Sequence, residues 1–347
     1  MKKLLYIASA IALVACGSSK DTTSNDNDSN VDYSEKFAKT ITAKDLGKHL
    51  FVYASDEFEG RDTGEPGQKK AVNYLKDFYI SQGIKSPLGG DDYFQEVPSA
   101  YLSNNRRGMT LNDSENVLAF IKGSEKPDEI IVISAHLDHE GVKNGKIYNG
   151  ADDDGSGTVA ILEIAEAFKK AVNTGKGPKR SILFLHVTGE EKGLLGSKYY
   201  TENPTFPLAN TVTNLNIDMI GRVDDRHKGN PNYVYLIGAD KLSTELHNVS
   251  EAINKKYTNI DLDYKYNDEN DPNRFYYRSD HYNFAKHNIP IIFYFNGTHA
   301  DYHQPTDTPD KINYQLLENR TRLVFHTAWE IANRENRIVV DKADTNK

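Results

Sequence analysis

Between residues 34 and 334 the apolar positions switch between two periods. Residues 34–53 and 67–83 carry helical spacing, the second stretch opened by Pro66-Gly67 and closed by Gly83. Phe94–Val97 and Asn116–Ile121 read as strands, and Glu129–Ser134 as a short buried strand. Ser156–Val172 is helical, with Ile161, Ala165, Phe168 and Val172 expected on its inner face. Ser181–Leu185 is another buried strand, Leu194–Tyr200 begins a helix, and Val212–Ile217 is a strand ending at Asp218. Tyr233–Ile237, Leu242–Lys256, Asp280–His287, Ile289–Phe295 and Tyr314–Arg334 continue the alternation. Strands alternating with helices predict an α/β fold: a mixed, mainly parallel sheet with helices on both faces. No linker interrupts 33–340, so one domain is expected there.

The pattern ahead of residue 33 is different. Lys2 and Lys3 precede a mostly apolar run, Leu4 to Ala15, too short for an ordinary membrane span. The run closes in Leu13-Val14-Ala15-Cys16-Gly17, which resembles a bacterial lipobox. Residues 1–16 are therefore expected to act as an export signal and Cys16 to carry lipid, anchoring an exported chain to a bacterial membrane. Cys16 is the only cysteine of the 347 residues, so no disulfide forms within one chain. Residues 17–32, rich in Ser, Asn, Asp and Thr, read as a flexible tether. The net charge of −8 and the lack of a basic cluster argue against a nucleic-acid partner.

Five motifs carry the chemistry, and several follow an apolar run, where open α/β sheets place their ligands. They are Ala135-His136-Leu137-Asp138, Gly150-Ala151-Asp152-Asp153-Asp154-Gly155-Ser156-Gly157, Gly189-Glu190-Glu191, Asn216-Ile217-Asp218-Met219 and Tyr302-His303-Gln304-Pro305. Together they supply imidazole and carboxylate donors suited to zinc, with one glutamate to spare. Taken singly, each has an ordinary reading. Glu190-Glu191 suits a solvated helix start, and the three aspartates lack the alternate spacing of an EF-hand calcium loop.

In this order the motifs resemble the di-zinc aminopeptidase family that includes glutamate carboxypeptidase II. The resemblance runs from about Ser55 to Ile312 and includes the lead-in Ser55-Asp56-Glu57-Phe58-Glu59-Gly60-Arg61. It implies the zinc exopeptidase fold, two Zn²⁺ ions and a peptide substrate. Asp153 matches the bridging carboxylate, joined by a cis peptide to Asp154. His136 and Asp218 match the other ligands of one zinc, and Glu191 and His303 those of its partner. Glu190 matches the general base, Asp138 the carboxylate that orients His136, and Tyr302 a tyrosine that steadies the tetrahedral oxyanion. Arg278 resembles a position near the substrate, while Asp280 and His281 read as structural. The polar stretch Asn267 to Asn273 suggests a mobile loop over the substrate amine.

The chain departs from the pattern at His139, where the family often has Ser, which leaves an added or altered metal contact open. About 30 residues separate Ser86 from Asn116, too few for the protease-associated domain some members insert. The expected activity is that of an aminopeptidase. The alternatives are a carboxypeptidase or dipeptidase of the same fold, the related one-zinc glutaminyl cyclase, and a non-catalytic receptor-like module.

Overall fold

Burial on both faces of the central strands sets the architecture. The structure is a computed structural model describing residues 31–105 and 108–342. The expected leader, Cys16 and the tether up to residue 30 lie outside those residues. The N-terminal helices are α1 (Tyr33–Ala38), α2 (Ala43–Tyr53) and α3 (Pro66–Gln82). Then come β1 (Phe94–Val97), α4 (Ser99–Leu102), β2 (Ser114–Ile121) and β3 (Lys126–His136). A short hairpin, β4 (Gly141–Lys143) and β5 (Lys146–Tyr148), precedes α5 (Gly157–Asn173), β6 (Arg180–Val187), α6 (Leu195–Glu202) and β7 (Thr211–Ile217). The last part holds β8 (Tyr233–Ile237), α7 (Thr244–Tyr257), β9 (Asp261–Asp263), α8 (His281–Ala285), β10 (Ile291–Phe295) and α9 (Tyr314–Asn333).

Eight strands form one sheet in the order β1-β2-β6-β3-β7-β10-β8-β9. The four central strands, β6, β3, β7 and β10, are mutually parallel. β1 pairs antiparallel with β2, β2 with β6 and β8 with β10, while β9 runs parallel to β8. Side chains alternate across a strand, and β3 uses both directions. Ile131, Ile133 and Ala135 join the larger core with α2, α3, α5, α7 and α9. Ile130 and Val132 join the opposite core with Phe284 of α8 and Tyr200 of α6. This is the predicted layered α/β sheet.

Two local expectations are corrected. The helical stretch 34–53 is broken: Thr42 is extended and its side chain accepts from the Asp45 amide, a hydrogen-bonded N-cap that starts α2 afresh. On α5, Ile161, Ala165 and Phe168 are fully buried, but Val172, in the last turn, is exposed. Among the described residues no helix is long and apolar enough to cross a membrane.

Glu163 of α5 faces the larger core, its side chain 1% exposed and 3.8 Å from His49 Nε2. Burial first, then Glu166 and Asp45, push its carboxyl from 4.5 up to about 8. The native state thus keeps a proton that the unfolded chain has lost, so stability falls as pH rises from about 4.5 to about 8. Glu163→Gln removes this cost. Its Tm should exceed that of the unaltered chain at pH 8, by at most about 4–5 kcal/mol in stability, and converge with it below pH 4.5. Parallel melting curves across that range would refute the assignment.

Candidate metal centre

The C-terminal ends of the four parallel strands bring the predicted residues to one edge of the sheet. β3 ends at His136 and continues into Asp138 and His139; β6 is followed by Glu190 and Glu191; β7 by Asp218; β10 by the turn carrying Tyr302 and His303. Gly189, at φ +67°, makes the turn after β6. Asp153 comes from the irregular turn 151–156 ahead of α5, and its peptide to Asp154 is cis, as the resemblance implied.

Asp153 stands at the centre of two donor clusters. On one side His136 Nε2 lies 3.1 Å from Asp153 Oδ1 and 3.8 Å from Asp218 Oδ1. On the other, His303 Nε2 lies 3.0 Å from Asp153 Oδ2 and 3.2 Å from Glu191 Oε1. His139 Nδ1 joins this second cluster, 3.0 Å from Glu191 Oε1. His136, Asp138 and His139 are at most 1% exposed, and Asp153 is 3% exposed.

The charges are strongly paired. Burial opposes ionisation of Asp153, but the His136 and His303 imidazoles outweigh it and hold the carboxyl well below its usual range. Burial and Asp153 likewise oppose ionisation of Glu191, and His139 and His303 outweigh them, taking it down to about 2. His303, despite burial, is raised to about 10 by Asp153 and Glu191. Glu190 moves the other way: burial, reinforced by Glu191, Asp218 and Asp280, pushes it well above its usual value.

The residues fit a metal by the chemistry of their unsatisfied atoms. Nδ1 of His139 and Oδ2 of Asp153 are buried without a hydrogen bond. Leaving such atoms unpaired costs about 1–3 kcal/mol each, and a cation between the donors removes that cost. Imidazole and carboxylate donors are the set zinc takes.

Behind the donors lies a supporting layer, most of which periodicity and motif could not reveal. Asp138 departs from expectation. His136 Nδ1 hydrogen-bonds the Asp138 backbone carbonyl at 2.9 Å, while the carboxylate is 3.9 Å away. That carboxylate instead accepts from Thr63 Oγ1 and from the Glu190 amide, so it fixes the turn carrying Glu190. Asp154 accepts from the amides of His136, Gly157 and Met219, tying together three segments of the site. Asp307 accepts from the amides of Asp152 and Asp153. Ser279 Oγ donates to Asp218 Oδ2 at 2.6 Å and accepts from Asn216, which in turn accepts from Ser134. Arg61 is wholly buried and donates to four carbonyls: Leu137, Tyr53, Asn149 and Gly150. The run of three aspartates and the lead-in ending at Arg61 were visible signals; Asp307 and Ser279 gave none.

A narrow cleft opens beside the donors, walled by Met219, Phe275, Phe293 and Phe295, with Asp153, Glu190, Asp218 and Tyr302 on its polar side. Tyr302 stacks on His303 with ring centres 3.9 Å apart. Burial and the surrounding carboxylates raise its hydroxyl pKa, so it remains a proton donor. Arg278 also lines the cleft, its guanidinium over the Phe275 ring at 4.7 Å. Asp280 accepts from Ser197 Oγ, and His281 Nε2 lies 2.8 Å from the Tyr276 carbonyl. The stretch Asn267 to Asn273 is pinned rather than free. Asn267 bridges Gly238 and Asp240, and Asp271 accepts from the Phe275 amide.

With the geometry in place, comparison with known proteins adds the following. The model of peptidase family M28 matches residues 116–328. Leupeptin-inactivating enzyme 1 of Streptomyces exfoliatus is 26% identical over 305 residues, 81% of this chain and 59% of its own length. The chain thus spans less than two thirds of this curated relative. A zinc aminopeptidase from Bacillus subtilis superposes with a TM-score of 0.63 at 17% identity, covering 87% of this chain and 98% of its own. Porphyromonas gingivalis glutaminyl cyclase superposes equally well, with a TM-score of 0.65 at 18% identity over 83% and 98% of the two chains. At such identities the likeness is one of fold alone.

Proposed function

This chain belongs to peptidase family M28, and from that premise we propose that it is a two-zinc aminopeptidase removing apolar residues from the amino ends of peptides. The observation that carries the reading is the division of Asp153 between two donor sets, one oxygen toward His136 and Asp218 and the other toward Glu191 and His303. These five residues would hold two metal ions. Bound zinc supplies Lewis acidity toward water and the scissile carbonyl. Glu190, outside both donor sets and lining the cleft, accepts the proton of the attacking water and passes it to the leaving amine. The Tyr302 hydroxyl donates to the oxygen that gains charge.

The amino-end preference rests on the cleft. The Asp218 carboxylate lies beside an apolar wall of Met219, Phe275, Phe293 and Phe295. A free α-amine suits the first group and an apolar first side chain the second. Carboxypeptidase action is favoured by one observation: exposed Arg278 lines the same cleft, where it could pair with a substrate carboxylate.

Peptides beginning with leucine or phenylalanine, each free, N-acetylated or C-terminally amidated, separate the readings. Acetylation should lower kcat/KM by about 10–100-fold, the scale of one lost charge-assisted hydrogen bond, and amidation by less than about 3-fold on the same scale. Equal cleavage of free and capped peptides would reject the aminopeptidase. Dependence on the C-terminal carboxylate would establish the carboxypeptidase, and pyroglutamate formation from an N-terminal glutamine the cyclase.

A further inference from the structure

The two donor clusters around Asp153 are unequal. The first contains His136, Asp153 and Asp218. The second contains Asp153, Glu191 and His303, with the fully buried His139 beside them. His139 Nδ1 lies 3.0 Å from Glu191 Oε1 and 3.8 Å from Asp153 Oδ2. His303 Nε2 lies 3.2 Å and 3.0 Å from the same two oxygens. Four donors at zinc's usual bond lengths of about 2.0–2.2 Å in a tetrahedron stand roughly 3.3–3.5 Å apart. The four imidazole–carboxylate separations, of the six such a tetrahedron has, run from 3.0 to 3.8 Å and bracket that spacing.

At 3.0 Å an imidazole and a carboxylate ordinarily share a hydrogen bond. His139 Nδ1 makes none, so its in-plane electron pair is not aimed at the oxygen beside it. The ring is also held in place. Gly150 backs it so closely that an added Cβ would fall 2.4 Å from His139 Cγ, and the His139 amide donates to the Arg61 carbonyl.

We propose that His139 binds metal through Nδ1, giving the second position four protein donors and leaving the first with three. In zinc proteins a closed set of four marks a structural ion, and a set of three leaves a place for reactants. On this assignment the metal at Asp218 is the one open to substrate, and the metal at His303 is held more tightly. The proposal rests on the two-zinc reading above.

The experiment uses the full chain, stripped of metal and refilled with Co²⁺, which shifts the N–H protons of bound imidazoles far outside the normal proton NMR range. With two ions per chain, three such exchangeable signals are expected, from His136, His139 and His303. In His139→Ala one signal should vanish and one of the two ions should bind at least about 10–100-fold more weakly, the loss typical even of outer-shell partners. Two signals with two ions bound would overturn the role of His139 and leave the two-metal site standing. A single ion at saturation would instead overturn the two-metal reading. The signal count on the unaltered chain decides the matter even if the variant fails to fold.

Discussion

Glu190→Gln is expected to lower kcat by about 10²–10⁴, the range for losing a general acid–base, while metal content is unchanged. The amide nearly matches the carboxylate in size, but it cannot take a proton from water at neutral pH. Glu190 belongs to neither donor set, and the Asp138 carboxylate holds its backbone amide, so the turn should keep its shape. Glu191→Gln provides the contrast. That carboxylate lies 3.2 Å from His303 and 3.0 Å from His139, and its loss should release metal along with activity. Kinetics beside metal analysis tests both variants. Wild-type turnover in metal-loaded Glu190→Gln would remove this residue from the reaction.

Arg61→Met should destabilise the fold by about 3–5 kcal/mol. The side chain is 0% exposed, and its four carbonyl partners fall in three places: the end of α2, the segment after β3, and the loop leading to Asp153. Methionine fills similar space and donates nothing, so four buried carbonyls lose the guanidinium at once; Leu137 keeps the Tyr53 hydroxyl and Gly150 the Gly155 amide. Metal affinity should fall with stability, because the clamp joins the segments carrying His136 and Asp153. An unchanged Tm by calorimetry would show that the carbonyls find other donors.

Much of this molecule was legible beforehand, and the boundary has a physical basis. The central strands were readable because burial on both faces makes them continuous apolar runs, as in Ile130 to Ile133. His136, Asp153, Glu191, Asp218 and His303 were readable because each sits in a short motif. The hairpin β4–β5 passed unnoticed although Asn144-Gly145 at its tip is a strong turn signal. The break at Thr42 depends on one capping side chain, which the helical period does not register. The supporting layer was hidden for another reason. Ser279 and Asp218 are 61 positions apart, and Asp152 and Asp307 are 155 apart. Such pairings exist only once the sheet has assembled. Asp138 shows how coarse a motif can be: the right residue was named, but its backbone carbonyl rather than its carboxylate contacts His136.

The strand order carries one more implication. β10 comes last in the chain, yet it lies inside the sheet, between β7 and β8. A ribosome that has translated as far as Pro290 has made His136, Asp153, Glu191 and Asp218, but the slot between those two strands is still vacant. The segment that fills it leads directly to Tyr302 and His303. On the proposed ligand set, hydrolytic competence therefore arrives in one late step, and a shorter nascent product lacks the His303 donor.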